Sequence, residues 1–196
     1  MCLTVKHANG IIYAMTKTYI TSDLHFSHKR IREFCPDTRG NFTDITHMNE
    51  EMIRMWNEIV NPEDLVYILG DVAFCSGSEA ARIMARLNGR KILVKGNHDY
   101  STLKDFNFQQ SFESIHDYLE INYDGTFVVM MHYPIAEFNR MHRDNSCHFY
   151  GHLHQNKSGL EEYRIRNVGF DCTGKIVTLM EDAIADAMTG KIKGHH

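Results

Sequence analysis

The sequence predicts an α/β fold whose second half is richer in β-strands than its first. Up to about residue 95, short apolar runs typical of buried strands alternate with segments whose apolar residues recur every three or four positions, as in amphipathic helices. Beyond that point the apolar runs have the length of strands, and one helical segment closes the chain. This order favours one mixed sheet, or two sheets packed together.

Local signals support each element of the first half. Asn9-Gly10 is a dipeptide that favours a two-residue hairpin turn. Apolar residues at helical spacing between Asp44 and Val60 predict the longest helix. Ser76 and Glu79 form a capping-box pattern. The predicted elements are a hairpin of Cys2–Ala8 and Ile11–Thr16, a strand Thr18–Thr21, helices Ile31–Phe34 and Asp44–Val60, a strand Leu65–Leu69, a helix from Ser76 to Leu87 and a strand Lys91–Lys95.

The second half begins with another hairpin signal. Asp124-Gly125 separates two β-prone runs and predicts a tight turn between them. The predicted elements are strands Tyr118–Tyr123, Thr126–Met131, Cys147–Tyr150, Tyr163–Val168 and Ile176–Met180, followed by a helix Glu181–Met188.

Length and composition limit the class of protein. The 196 residues suit a single domain, which we place at residues 1–190 with a hairpin extension at 1–16. Residues 194–196, Gly-His-His, have the composition of a purification-tag remnant. No apolar run approaches the roughly 20 residues of a membrane-spanning helix, so no membrane partner is expected. The net charge of −4 disfavours a sequence-independent grip on nucleic-acid phosphates.

The cysteines indicate a reducing compartment. The five cysteines are widely spaced, odd in number and without a C-x-x-C pair, which argues against a disulfide framework and a structural zinc knuckle. The first 16 residues also lack the continuous apolar core of a secretory signal. We therefore expect a cytoplasmic location.

Side chains that bind metal ions follow five of the predicted strands. They are Asp23 and His25 after the first strand, Asp71 after the second, Asn97, His98 and Asp99 after the third, His132 after Thr126–Met131, and His152 and His154 after Cys147–Tyr150. Asp, Asn and His bind borderline and hard divalent cations. Ligands of open α/β sheets collect at the carboxyl ends of the strands, so these five clusters are expected to converge on one cleft.

The ordered set of motifs resembles the calcineurin-like metallophosphoesterase superfamily. The motifs are Asp23-Leu24-His25, Gly70-Asp71, Gly96-Asn97-His98-Asp99, His132 and Gly151-His152-Leu153-His154, spanning residues 18 to about 170. The opening Asp-Leu-His-Phe-Ser-His is most similar to small bacterial and phage phosphoesterases. The resemblance implies a four-layer α/β/β/α sandwich of two mixed sheets flanked by helices, with a two-metal site between the sheet ends.

The resemblance also implies the role of each ligand. One metal takes Asp23, His25 and His154, the other takes Asn97, His132 and His152, and Asp71 bridges them. His98 is the implied catalytic residue. Many members continue the second motif as Gly-Asp-x-x-Asp, where the last Asp orients the catalytic histidine. This chain has Phe74 at that position, so the partner of His98 is left open.

Phosphoester hydrolysis explains why such a site needs two metals. The substrate is anionic and repels hydroxide, whereas two divalent ions lower the pKa of a shared, bridging water and clamp the attacking and leaving oxygens. Three carboxylate or amide oxygens and four imidazoles suit Mn, Fe, Ni or Zn better than Mg or Ca. His98, free of the metals, is suited to protonate the leaving oxygen or to hydrogen-bond the phosphoryl group.

Three further residues are candidates for substrate binding. His28 lies at a helix start three residues after His25, and Arg140 and Arg143 lie in the segment that connects His132 to Gly151. With short segments around the cleft, we expect a small phosphomonoester or phosphodiester as substrate. A nuclease acting on DNA or RNA is the alternative on the same chemistry, and a catalytically silent scaffold is disfavoured because all seven ligands and His98 are present. The oligomeric state is left open.

Overall fold

The structure is a computed structural model that describes residues 7–8, 11–12 and 16–194. The strands are β1 His7–Ala8, β2 Ile11–Ile12, β3 Thr18–Thr21, β4 Leu65–Ile68, β5 Arg90–Val94, β6 Ser114–His116, β7 Leu119–Tyr123, β8 Thr126–Met130, β9 Ser146–Tyr150, β10 Ile165–Asn167 and β11 Thr178–Leu179. The helices are α1 Ile31–Phe34, α2 Pro36–Arg39, α3 Ile45–Ile59, α4 Gly77–Met84, α5 Asp99–Thr102, α6 Phe106–Gln109, α7 Phe170–Thr173 and α8 Met180–Met188.

Two mixed sheets form the centre of the fold. The first has the order β11-β3-β4-β5-β6, in which β3 to β6 are parallel and β11 is antiparallel to β3. The second has the order β10-β9-β8-β7, in which β8, β9 and β10 are parallel and β7 forms an antiparallel hairpin with β8. The predicted architecture of two mixed sheets flanked by helices is confirmed.

Helices α3 and α4 cover one face of the first sheet. The helical spacing of α3 buries Met48, Met52 and Trp56 completely, because these side chains share the face directed at the sheet. Asp44 caps α3 by accepting a hydrogen bond from the His47 amide, and Ser76 caps α4 by accepting one from the Glu79 amide. Both caps satisfy amides that would otherwise have no partner in the first turn.

The opposite face of the first sheet packs on the second sheet. Alternate residues of β4 and β8, such as Tyr67 and Val128, join one apolar cluster, as expected from the two-residue period of a strand. Met180, Ala183 and Ala187 of α8 complete this cluster. Burial between the sheets therefore fixes how their edges align.

The outer face of the second sheet is covered by the segment between β8 and β9. His148 on this face is fully buried, and its Nε2 accepts a hydrogen bond from the Ile135 amide (3.3 Å) while Nδ1 lies 3.2 Å from the Val129 carbonyl oxygen. The Phe138 ring packs on the His148 ring at 5.6 Å. Burial lowers the pKa of His148 to about 4, so the neutral ring is the form that packs here.

Most predicted elements are present, and the differences concern short helices and element ends. Helix α4 ends at Met84 rather than Leu87, and the strand predicted over Ile176–Met180 is only β11, because Met180 already begins α8. Helices α2, α5, α6 and α7 and strand β6 were not predicted. Strands β1 and β2 pair antiparallel, whereas the hairpin turn Asn9-Gly10 and residues 1–6, 13–15 and 195–196 lie outside the described part. Among the described residues, no helix has the length and apolarity to span a membrane.

Candidate metal centre

The loops after β3 and β4 run side by side at the carboxyl edge of the first sheet. The strands are in register, with Thr21 beside Ile68, so both loops begin at the same level. The Asp23 amide donates to the Gly70 carbonyl and the His25 amide to the Asp71 carbonyl, each at 3.0 Å. These bonds continue the ladder of β3 and β4 and hold three of the predicted ligands together.

Five predicted ligands have left-handed backbone conformations. The φ angles are 56° for Asp23, 49° for His25, 54° for Asp71, 68° for His152 and 49° for His154. Residues other than glycine adopt this region at a cost of order 1 kcal/mol or more, and such conformations concentrate at functional sites. Sharp turns, rather than the alternation of an extended strand, therefore direct these side chains.

Two glycines permit the close approach of these loops. A Cβ atom on Gly96 would overlap the carboxylate and amide of Asp71, and one on Gly151 would overlap Ser22 Oγ and the carboxylate of Asp23. Glycine, which has no Cβ atom, therefore allows the backbone to come this close at both positions.

The first group of candidate ligands contains Asp23, His25 and His154. Their ligand atoms lie within 4.8 Å of one another. Asp23 and His25 are buried, and neither ring nitrogen of His25 has a hydrogen-bond partner in the described part of the chain. Buried polar atoms without partners are rare, because desolvation is then uncompensated. A divalent cation among these three side chains would satisfy one of the two ring nitrogens of His25.

The second group contains Asp71, His132 and His152, also within 4.8 Å of one another. His132 Nδ1 lies 2.7 Å from the Leu69 carbonyl oxygen, which can only accept, so Nδ1 carries the proton and Nε2 presents a lone pair. That lone pair faces Asn97 Oδ1 at 3.0 Å. Two facing acceptors are stabilised by a cation between them, so Asn97 fits the same ion.

Asp71 lies between the two groups. Its Oδ2 is 3.6 Å from His25 Nε2 of the first group and 3.5 Å from His132 Nε2 of the second. The structure therefore brings all seven predicted ligands to one cleft, with Asp71 in the position expected of a bridging carboxylate.

Burial shifts the titration of several ligands. It lowers the pKa of His25 well below its usual value, with Arg39 and neighbouring histidines adding to the effect, and it raises the pKa of the Asp23 carboxyl. His154 behaves oppositely: burial is outweighed by its hydrogen bond to Asp171, and its pKa rises to about 10. A metal requires neutral imidazole ligands, so His25 is already in the required state, whereas a metal at His154 must displace the proton from Nε2.

This arrangement agrees with the comparison to known families. Residues 17–170 match the calcineurin-like phosphoesterase superfamily domain. The chain belongs to that superfamily. Members generally hydrolyse phosphoester bonds with bound divalent metals, and the candidate ligand groups of this member fit such ions.

The relatives of this superfamily member include archaeal and phage proteins. The uncharacterised protein MJ1445 of Methanocaldococcus jannaschii is 30% identical over 156 residues, which are 79% of this chain and 77% of that protein. The gene 66 protein of Mycobacterium phage D29 is 30% identical over 195 residues, covering 85% of this chain and 94% of its own length. A crystal structure of AQ665, a protein of unknown function from Aquifex aeolicus, has a TM-score of 0.65 at 26% identity and covers 85% of this chain and 97% of its own.

A buried ion pair supports the first ligand group of this calcineurin-like domain. Asp171 of α7 accepts a 2.7 Å hydrogen bond from His154 Nδ1, leaving Nε2 for the metal. Arg39 of α2 donates through Nε and Nη2 to Asp171 at 2.7 and 2.9 Å. The same guanidinium donates to the carbonyl oxygens of Asp23 and Leu24 at 2.6 and 2.7 Å. Neither Arg39 nor Asp171 was predicted as a functional residue.

Asp99 performs a similar function for the second and third motifs. Its carboxylate accepts hydrogen bonds from the amides of Asp71, Val72 and Gly96 at 2.8 to 2.9 Å. Asp99 therefore ties the loop after β4 to the loop after β5. It uses its oxygens on these backbone amides, and so it is not the partner that orients the ring of His98.

The ring of His98 packs on Phe74. The two ring centroids are 4.7 Å apart, and Nε2 of His98 lies 4.0 Å from Asp71 Oδ2. The His98 side chain is 42% exposed, and its backbone amide donates to Asp71 Oδ1 at 2.9 Å. An apolar ring contact thus stands where the resemblance implies a carboxylate, and His98 faces the cleft.

The three predicted substrate residues lie in different places. The His28 ring is at the cleft, 5.5 Å from His25 and 4.3 Å from Phe74. Arg140 stacks on Phe127 at the start of strand β8, with 4.5 Å between the guanidinium carbon and the ring centroid. The carbonyl oxygens of Arg140 and Arg143 accept from Ser146 Oγ at the start of β9.

The positions of Arg140 and Arg143 separate them from the ligands. His132 and His152 follow the carboxyl ends of β8 and β9, whereas these arginines lie beside the first residues of both strands, about 17 Å away at the usual rise per residue. The structure therefore does not bring Arg140 and Arg143 to the metal cleft.

Proposed function

We propose that this protein hydrolyses a small phosphomonoester or phosphodiester at a dinuclear metal centre. The observation that carries the proposal is the position of Asp71, whose Oδ2 lies 3.6 Å from His25 Nε2 and 3.5 Å from His132 Nε2. A carboxylate between two groups of metal-binding side chains is the arrangement that allows two ions to share one ligand.

The donor set supports Mn, Fe, Zn or Ni as the metals. Asp23, His25 and His154 would hold one ion, Asn97, His132 and His152 the other, with Asp71 common to both. Imidazole nitrogens with a few oxygen ligands favour these metals over Mg or Ca. When bound, the ions neutralise the phosphoryl charge and acidify the attacking water.

The protein's own side chains supply orientation and proton transfer. Hydrolysis forms one bond from water oxygen to phosphorus and breaks the bond to the ester oxygen, which must gain a proton to leave. His98 faces the cleft without being needed as a ligand, so we assign it the donation of that proton. His28, at the rim beside His25, is placed to contact a phosphoryl oxygen.

A small substrate fits the surroundings of the cleft better than a polymer does. The segment after His132 folds onto the outer face of the second sheet, where the Phe138 ring contacts His148. The basic residues of this segment lie at the far ends of β8 and β9. The net charge of −4 disfavours a sequence-independent grip on a nucleic-acid backbone. A nuclease is therefore the second candidate, and a silent scaffold is disfavoured by the complete ligand set.

Metal content and turnover test the proposal together. The purified protein should contain about two divalent ions per chain by elemental analysis and should hydrolyse 4-nitrophenyl phosphate or bis(4-nitrophenyl) phosphate with one of the four metals. Asp71→Asn should abolish turnover and lower the metal content, because it removes the shared charge. Asp117→Asn, which changes an exposed carboxylate paired with Lys95, is the matched control.

Two results would contradict this proposal, the first its dinuclear centre and the second its small substrate. One is an Asp71→Asn protein that retains full activity with one ion or none. The other is processive digestion of DNA or RNA whose affinity falls steeply with salt, which would favour the nuclease.

A further inference from the structure

An exposed aromatic ring borders the candidate metal cleft. Phe74, in the loop after β4, is 46% exposed. Its ring centroid lies 4.7 Å from that of His98, 4.3 Å from that of His28 and 6.1 Å from that of His25. The ring thus contacts both the assigned proton donor and the rim histidine.

Open space adjoins Phe74 in two directions. A cleft of about 310 Å³ on the His98 side is lined by Phe74, His98 and Ser101 among others. A second cleft of about 590 Å³ is also lined by Phe74, with Ser27, Lys29 and Asn49 in its wall. A group attached to a phosphate in the metal cleft therefore has room beside the ring.

The chemistry of the ring differs from that of its surroundings. A phosphoryl group is recognised by cations and hydrogen-bond donors, and a phenyl ring offers neither. An exposed phenyl ring does offer a flat apolar face, and its close contacts with His98 and His28 are tilted at 55° and 59° rather than stacked. Offset stacking with a planar group is the contact that such a ring makes best.

We infer that the substrate carries a planar aromatic substituent on its leaving oxygen and that Phe74 stacks against it. This inference rests on the proposed phosphoester hydrolysis and names the class of ester. The position of Phe74 beside His98 determines which substituent it meets: the group on the oxygen that receives the proton. Phe74 is then a specificity-determining residue, and the phosphate itself is held by the metals and histidines.

Binding of two matched phosphonates tests the inference without turnover. Benzylphosphonate and cyclohexylmethylphosphonate have the same charge and nearly the same size, neither is a phosphoester, and only the first is planar. Titration calorimetry on the Mn²⁺-loaded protein should give a dissociation constant about two- to tenfold lower for benzylphosphonate, the preference expected of an aromatic pair beyond its buried area. Hydrolysis of benzyl phosphate and cyclohexylmethyl phosphate, whose leaving alcohols are both unactivated, should show the same preference in KM.

Three variants locate the effect. Phe74→Leu keeps an apolar side chain without the ring and should bring the two phosphonates within about twofold of each other, whereas Phe74→Tyr should retain the preference. Phe106→Leu removes a ring that is 69% exposed at the start of α6 and should leave the preference unchanged.

The outcomes separate this inference from the proposed function. Equal binding of both phosphonates to the wild-type protein, or a preference that survives Phe74→Leu, overturns the inference while phosphoester hydrolysis stands. If neither phosphonate binds and neither phosphate is hydrolysed with any of the four metals, the proposed function and the inference fail together.

Discussion

Asp171→Asn is expected to weaken one metal position selectively. The Asp171 carboxylate accepts from His154 Nδ1 and Arg39 Nη2 through Oδ2, and from Thr38 Oγ1 and Arg39 Nε through Oδ1. An asparagine offers one acceptor oxygen, so two of these four donors lose their partner in either orientation of the amide.

Two magnitudes follow from this geometry. Loss of a carboxylate that orients a metal-binding histidine typically costs about 10- to 100-fold in metal affinity. Arg39 is completely buried, and leaving its charge without a counter-ion should lower the free energy of unfolding by about 3–5 kcal/mol. Because Asp171 contacts His154 but not His132 or His152, we expect the weaker affinity only for the ion held by Asp23, His25 and His154.

Metal titration and urea unfolding measure the two effects separately. Calorimetric titration of the metal-free variant should show one unchanged and one weakened binding step. The double variant Arg39→Met/Asp171→Leu removes both charges and should recover part of the lost stability, yet its metal affinity should stay low. Thr38→Val, which removes one hydrogen bond to Asp171 but keeps the His154 contact, is the control and should cost about 1 kcal/mol in stability with little change in metal affinity.

Two results would contradict a positioning role of Asp171. If both binding steps weaken equally in Asp171→Asn, or if metal affinity recovers together with stability in the double variant, the ion pair acts on the fold as a whole and does not position His154.

Three further changes test other parts of the structure. Gly151→Ala should lower metal content and the unfolding midpoint, because its Cβ would overlap Ser22 and Asp23; elemental analysis and thermal unfolding check this. His98→Ala should keep both metals but lower kcat by about 10²-fold, the lower end for a proton donor, since an apolar ring rather than a carboxylate supports it; retained kcat would exclude the role. For His148, the folded pKa of about 4 lies below the unfolded value of about 6.5, so its contribution is intact above pH 6.5 and falls by about 3 kcal/mol by pH 4. Urea unfolding of wild type and His148→Gln between pH 7 and 4 should show a smaller acid loss in the variant; identical curves would contradict this.

The sequence predicts well where regular periodicity and turn chemistry decide the structure. Helix α3 and the β7–β8 hairpin are within one residue of prediction because their apolar spacing and the Asp124-Gly125 turn are local signals. The convergence of the ligands also follows from sequence, since each of them comes directly after a strand. No pattern in the sequence indicates the left-handed conformation of five of these residues, and it was not expected.

Contacts between distant residues account for what the sequence does not reveal. Arg39 and Asp171 are separated by 132 positions and lie on short helices without a periodic pattern, so nothing in either segment indicates their pairing. For Arg140 and Arg143 the sequence suggested a position near the ligands that the structure does not show. Because β8 and β9 are parallel, the connection between them must return along the full length of the strands, and its later part, which holds both arginines, lies at the ends of β8 and β9 that are far from the ligands.

The first ligand group joins segments that are far apart in the sequence, and this has a thermodynamic consequence. Asp23 and His152 are 129 positions apart, yet the His152 amide donates to the Asp23 carboxylate and His154 lies beside it. An unfolded chain presents no such group, so metal binding stabilises the folded state by mass action, by about 2.7 kcal/mol when free metal is at 100 times its dissociation constant. The proposed metal centre therefore predicts that resistance to heat and proteolysis follows the metal supply, and that a chelator removes stability as well as the proposed catalysis.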